Sequence, residues 1–223
     1  MIELAGVEKS YRTRHGLRPV IRPTDLVFYR GSSTAVLGLN GAGKSTLLRL
    51  ISGVERPDRG QVIRSVTVSS PLGVTGGFHP TMTGAENLKF VCRIYDKDIA
   101  ATTEFVREFS ELGAYFYEPI GTYSSGMKSR LSFALSMAVD FQVYVIDEGL
   151  SVGDAAFRRK CQEAFAERRS RSDIIMTSHS MSTIREFCTR AVVMDKGEAV
   201  PFESLDAAEE YYMEIVARGR AAA

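Results

Sequence analysis

The sequence predicts an α/β fold, a sheet-bearing core interrupted by a helical insert, and three observations carry that prediction. Short runs dominated by apolar residues at 33–38 (STAVLG), 143–148 (VYVIDE) and 173–179 (DIIMTSH) read as buried strands. The first leads through a glycine-rich turn directly into a helical run at 44–53. From 71 to about 137 the texture changes to loop and then three successive helical patterns.

The bulk composition sets the frame. A chain of 223 residues suits one sizeable domain with a smaller inserted lobe. A formal net charge of +1 gives no overall pull toward nucleic acid, so none is expected as a partner. Cys92, Cys161 and Cys188 lie far apart in apolar-periodic stretches and form no CxxC pair, which predicts buried, reduced thiols. The opening MIELAGVEKSY lacks the basic and apolar regions of a secretory signal. No apolar run reaches the roughly 20 residues of a membrane helix. A cytosolic protein is expected, with any membrane role exerted through a partner.

In chain order, 2–11 and 25–29 read as strands joined by the basic stretch RTRHGLRPVIRP. Its arginines Arg12, Arg14, Arg18 and Arg22 either approach phosphates or coat a solvated hairpin. The punctuating Gly and Pro favour the hairpin. Residues 58–70 suggest a further hairpin strand. Thr83 and Glu86 have capping-box spacing, so a helix should start there, and Leu88, Val91, Ile94 and Tyr95 recur at helical spacing after it. Residues 190–200 read as a hairpin turning at Lys196 and Gly197. An amphipathic helix at 204–219 closes the pattern, with Leu205, Ala208, Tyr211, Tyr212 and Ile215 expected against its own core.

The chemistry is concentrated in two segments. GLNGAGKST, residues 38–46, matches GxxxxGK[ST] between a strand and a helix, the context that motif requires. Gly38, Leu39, Asn40, Gly41, Ala42 and Gly43 let backbone N–H groups turn inward around phosphates, and the helix N-terminus adds a favourable dipole. Lys44 is placed to reach β- and γ-phosphates, Ser45 offers a hydroxyl to Mg²⁺, and Thr46 completes the motif. About a hundred residues later, VYVIDE brings Asp147 to the Mg²⁺ shell and Glu148 to the attacking water. Either motif alone has a bland reading, a helix-capping glycine turn or a strand ending in acids. Together they predict a P-loop nucleoside triphosphatase.

Further stations of the chain resemble the ABC ATPase family over roughly residues 1 to 200. YSSGM (123–127) stands where that family has LSGGQ, SVGD (151–154) stands at its D-loop, and His179 ends the strand after the acidic one. Tyr11 follows the first strand, where the family stacks an aromatic on adenine. The resemblance implies a P-loop NTPase core of ABC ATPase type with an antiparallel β subdomain and an inserted helical subdomain. The whole chain, 1–223, would form a single nucleotide-binding domain. Its core would take 1–70 and 139–200, its helical subdomain about 71–138 and its C-terminal helix 204–219.

ATP and Mg²⁺ are the ligands the resemblance implies; aromatic stacking accepts either purine, so the residues leave ATP against GTP open. Tyr11 and residues 38–46 would bind ATP, Ser45 and Asp147 the metal, and Lys44, Glu148 and His179 would serve catalysis. Ser124, Ser125 and Gly126 would close over the nucleotide of a second copy in a head-to-tail dimer, beside the D-loop residues Ser151 and Asp154.

Departures from the general pattern narrow the family. Ser125 replaces a glycine, Met127 a glutamine, and Gly149 a common proline. The stretch 69–87 contains no Gln, and an ungapped count puts Val74 at the Q-loop position. A hydroxyl of Thr75 or Ser70, or a water, is expected to take that role. GGFHPTMTGAENLKF and the run 123–154 resemble the ATP-binding subunits of polysaccharide exporters. With little sequence beyond the core, the capsular branch is favoured over O-antigen exporters that carry an added carbohydrate-binding domain. Teichoic acid export is the near alternative, and a soluble ABC ATPase of translation or DNA repair the distant one. The resemblance implies transmembrane permease subunits as partners, envelope-spanning export proteins as a further class, and a peripheral place on the cytoplasmic face of the inner membrane. The Gly76-Gly77 loop and the helix from Thr83 are the expected docking surface for the permease.

Overall fold

The computed structural model describes residues 1–14, 16–72, 78–147, 154–178 and 180–221. Its strands are β1 (Ile2–Thr13), β2 (Gly16–Phe28), β3 (Thr34–Gly38), β4 (Arg59–Arg64), β5 (Val143–Ile146), β6 (Asp173–Met176), β7 (Arg190–Asp195) and β8 (Glu198–Phe202). Its α-helices are α1 (Lys44–Ser52), α2 (Gly84–Ile94), α3 (Ile99–Ser110), α4 (Ser125–Ala138), α5 (Ala155–Arg169), α6 (Met181–Phe187) and α7 (Leu205–Ala221). They fall into two compact units, one of Met1–Pro71, Gln142–Glu148 and Arg171–Ala223, the other of Leu72–Phe141 and Gly149–Ser170.

The first unit holds both sheets. One is antiparallel in the order β2-β1-β4; the other runs β5-β6-β3-β7-β8. Its first four strands are parallel and β8 returns antiparallel to β7. Every residue of β3 and of β5 is buried, which explains why these strands read as continuous apolar runs rather than alternating ones. Because β3, β5 and β6 are parallel, their C-terminal ends share one edge of the sheet, the edge where open α/β sheets place ligands. Ile2, Leu4 and Val7 of β1, Leu47, Leu48 and Ile51 of α1, and Val145, Ile175 and Val192 of the parallel strands form one core, each at most 2% exposed. Burial of this kind contributes about 1.5–3 kcal/mol per large side chain.

The basic stretch forms the paired hairpin that its Gly and Pro favoured, with both strands running farther than 2–11 and 25–29. Strand β1 continues to Thr13, β2 begins at Gly16, and the two face each other in register there. Pro19 and Pro23 are tolerated because β2 is the outer strand of its sheet, where a missing N–H costs no ladder bond on the open side. The β7–β8 hairpin turns at Lys196 and Gly197, both left-handed with φ of 48° and 87°. Those two positive angles match the tight turn that follows the twist of paired strands.

The second unit is helical. Thr83 caps α2 in a complete capping box: its hydroxyl accepts from Glu86 N, and the Glu86 carboxylate accepts from Thr83 N. Asp98, Ser124 and Asp154 cap α3, α4 and α5 in turn. Phe109 stacks on Phe133 at 5.8 Å between centroids and meets Phe157 edge-on at 5.9 Å, centring the unit's core. All three cysteines are buried and free, and burial pushes the Cys161 thiol up to about 12. Among the described residues, no helix is long and apolar enough to cross a membrane.

Candidate active site

The glycine-rich turn grows out of the C-terminal end of β3. Gly38 has φ of 148°, and a Cβ there would stand 2.5 Å from the Met194 carbonyl oxygen. Gly43 has φ of 111°, and its Cβ would stand 2.8 Å from the Val20 carbonyl oxygen. Both positions exclude a side chain on space as well as on conformation. Gly43 caps α1 and, having no side chain, contributes no side-chain cap to its first turn. A helix start left in this state suits an anion. Lys44 lies across the loop, its Nζ donating to the carbonyls of Gly38 at 2.8 Å and Leu39 at 3.2 Å.

Beside the loop opens a cleft of about 360 Å³, lined among others by Tyr11, Arg18, Val20, Asn40, Lys44 and Ser45. The structure thus brings Tyr11 and residues of the glycine-rich motif into one concavity although they are about 30 residues apart in sequence. The tyrosine is held by residues that the sequence did not mark. Its hydroxyl donates to Glu55 Oε2 at 2.7 Å and accepts from Arg49 at 3.0 Å. Arg49 also donates to Glu55 at 3.1 Å and to Thr46 Oγ1 at 3.2 Å, tying this network to α1. Lys9 pairs with Glu55 at 3.2 Å and with Asp58 at 2.9 Å. No local pattern announces these partners, because Tyr11 and Glu55 are 44 residues apart.

Partial burial opposes ionisation of Glu55, but hydrogen bonds from Tyr11, Arg49 and Lys9 outweigh it and hold the carboxyl below its ordinary range. A depressed folded value stabilises the fold above the unfolded value of about 4.3 and loses that contribution as pH falls through the folded value. Replacing Glu55 with Gln is expected to lower stability by about 1–2 kcal/mol at pH 7 and to remove part of the acid-side slope. It should also weaken nucleotide binding by freeing the Tyr11 ring. Thermal melts at pH 7 and pH 3.5, with nucleotide titration at pH 7, check this; identical curves for both proteins would oppose it.

Asp147 follows β5, and its Oδ1 accepts from Thr177 Oγ1 at 3.0 Å at the end of β6. A second, smaller cavity of about 60 Å³ is lined by Gly38, Lys44, Thr177, Ser178, Met181 and Tyr212, so the C-terminal helix reaches the neighbourhood of the glycine-rich loop. Glu148, Gly149, Ser151 and His179 lie outside the described residues, as do Val74, Thr75 and the Gly76-Gly77 loop. Ser70 is exposed, whereas its neighbour Ser69 is fully buried and accepts from Val145 N at 3.0 Å, stitching this segment to β5.

In the second unit, Ser124 is exposed and accepts from Met127 N at 3.2 Å as the N-cap of α4. Ser125 and Gly126 occupy the first turn of that helix, and a Cβ on Gly126 would meet only the Ser124 hydroxyl, at 3.8 Å. Asp154 caps α5 by accepting from Phe157 N at 2.9 Å and pairs with Arg130 at 2.7 Å. The hydrogen bond from Phe157 N is the main cause holding the Asp154 carboxyl below its ordinary range.

A glycine-rich loop at the end of a central parallel strand, with a carboxylate after a second strand of the same sheet, defines a P-loop nucleotide-binding protein. The chain belongs to the ABC transporter family, whose model matches residues 21–151. It is 49% identical over 212 residues to the capsule polysaccharide export ATP-binding protein CtrD of Neisseria meningitidis, covering 95% of this chain and 98% of that one. It is 47% identical to the ATP-binding protein BexA of Haemophilus influenzae, covering 96% and 99%. Relatives named for O-antigen export in Klebsiella pneumoniae and for teichoic acids export in Staphylococcus saprophyticus are each 37% identical, over 84% and 92% of this chain. Among solved structures, a dimeric ATP-binding cassette in a post-hydrolysis state with ADP and Pi superposes with a TM-score of 0.74 at 18% identity, covering 92% of this chain and 99% of that one. The fold is therefore the P-loop core of ABC ATPases, with its antiparallel sheet and helical unit.

Proposed function

We propose that the chain is the ATP-hydrolysing subunit of an exporter of lipid-linked capsular polysaccharide. It works as a head-to-tail pair on the cytoplasmic face of the inner membrane, with separate transmembrane subunits. The near full-length identity to the capsule exporter subunit, well above that to the teichoic acid and O-antigen relatives, carries this reading.

The residues of the glycine-rich loop give the reading its chemistry. Backbone amides of 41–46 surround the phosphates, Lys44 moves from its loop carbonyls to the β- and γ-phosphates, and Tyr11 stacks on the base. Ser45 and Asp147 offer a hydroxyl and a carboxylate, hard oxygen donors that fit Mg²⁺. When bound, Mg²⁺ neutralises charge on the phosphate oxygens. Thr177 fixes the Asp147 carboxylate through its hydroxyl. Glu148 takes a proton from the attacking water, and His179 orients that water and the γ-phosphate. Ser124, Ser125 and Gly126 of one copy meet the γ-phosphate bound by the other, with Ser151 and Asp154 beside them. Hydrolysis then reopens the pair and drives the transmembrane subunits.

Isolation of the complex from membranes under mild detergent tests the assignment. A small multi-span protein carrying a capsular glycolipid is the expected companion. Recovery with ribosomes or DNA, or with a teichoic acid precursor, would contradict it.

A further inference from the structure

We propose that Arg18 is a nucleotide-binding residue, a cation on the hairpin wall of the cleft that serves the base-proximal phosphate of ATP. This rests on the reading of the cleft as a nucleotide site. Three observations converge on the residue. Arg18 stands directly across from Tyr11 in the β1–β2 ladder. Opposed residues of an antiparallel pair project from the same face, so the guanidinium and the phenol ring belong to one wall. Both line the cleft that Asn40, Lys44 and Ser45 line from the loop side.

The charge pattern of the surrounding arginines supports the assignment. Arg22 on the same strand pairs with Glu198 at 2.8 Å, and Arg49 on α1 pairs with Glu55 at 3.1 Å. Arg18 has no carboxylate partner among the described residues. An arginine lining the cleft, with its five donors uncommitted to an acid among the described residues, matches a phosphate by charge and by geometry. Lys44 belongs to the terminal phosphates by its place in the motif. Arg18 shares its wall with the base-stacking tyrosine, so it faces the other end of the triphosphate. Two cations then bracket the phosphate chain from the loop and from the hairpin. This also gives the basic hairpin a role at the tip of the site: its paired strands carry Arg18 on a rigid ladder rather than on a free loop.

Binding of ATP, ADP and adenosine to the full-length protein with Mg²⁺ tests the proposal, using the parent, Arg18→Ala, Arg18→Lys and, as a reference, Lys44→Ala. For Arg18→Ala, the expected result is about five- to tenfold weaker binding of ATP and of ADP, with less than about a twofold change for adenosine. KM for ATP should rise by the same factor while kcat falls less, and the deficit should shrink at high salt. Arg18→Lys should recover part of the affinity, since the charge is kept but the planar fork of donors is lost. Melting of the nucleotide-free variants should match the parent, because the side chain is exposed. Equal losses for adenosine and ATP would overturn the phosphate assignment in favour of a base contact. Unchanged ATP and ADP binding in Arg18→Ala, with Lys44→Ala impaired, would make Arg18 a solvated surface residue. Unchanged binding in both variants would overturn the nucleotide site itself.

Discussion

Lys44→Ala is expected to weaken MgATP binding by about a hundredfold or more. The ammonium is the strongest charge the loop offers to the terminal phosphates, and charge-assisted hydrogen bonds contribute about 1.5–3 kcal/mol each. Alanine leaves the backbone cradle in place, because the strained geometry belongs to Gly38 and Gly43 rather than to Lys44. The loss should therefore appear in binding far more than in the melting temperature, since the contacts to the Gly38 and Leu39 carbonyls lie within the loop itself. Calorimetric titration with a non-hydrolysable analogue reads this effect. Parental affinity would remove the loop from the site.

Glu148→Gln should produce the opposite profile, full nucleotide affinity with turnover reduced by about 10²–10⁴-fold, the usual contribution of a positioned general base. The amide keeps the size of the carboxylate and one acceptor oxygen but takes no proton from water. With hydrolysis blocked, the ATP-bound pair should accumulate, and size-exclusion chromatography with ATP should show a dimer that the parent does not retain. Phosphate release at the parental rate would exclude Glu148 as the base. A monomer under all nucleotide conditions would count against the head-to-tail pair.

The loop was legible in the sequence because its physics is local. Gly38 and Gly43 are required by their own backbone angles, a constraint that leaves a signature within nine residues, while the Met194 and Val20 carbonyls that also exclude a side chain there come from distant segments. The same holds for the Thr83–Glu86 capping box and for the turn at Lys196 and Gly197, where neighbouring residues decide the conformation. The parallel strands could be read from their apolar runs because both faces are covered.

What the sequence hid depends on distance along the chain. The lock on Tyr11 joins Lys9, Arg49 and Glu55 across the hairpin and α1, and nothing near Glu55 distinguishes it from any exposed acid. Thr177 reads as the polar end of a strand until the parallel pairing of β5 and β6 brings it to Asp147. The basic stretch read as a hairpin from its Gly and Pro, but its register, with β1 running to Thr13 and β2 starting at Gly16, was not legible because Pro19 and Pro23 interrupt the alternation. Arg18 was visible as one of several arginines, and only the register opposite Tyr11 singles it out.

Surface polysaccharide in cells whose only copy of this chain is Glu148→Gln tests the central claim most directly. The assignment predicts that capsular polymer is synthesised but retained inside, and that the parental chain restores it to the surface. Normal surface capsule in those cells, with the variant shown to be inactive as an ATPase, would contradict a role in capsule export.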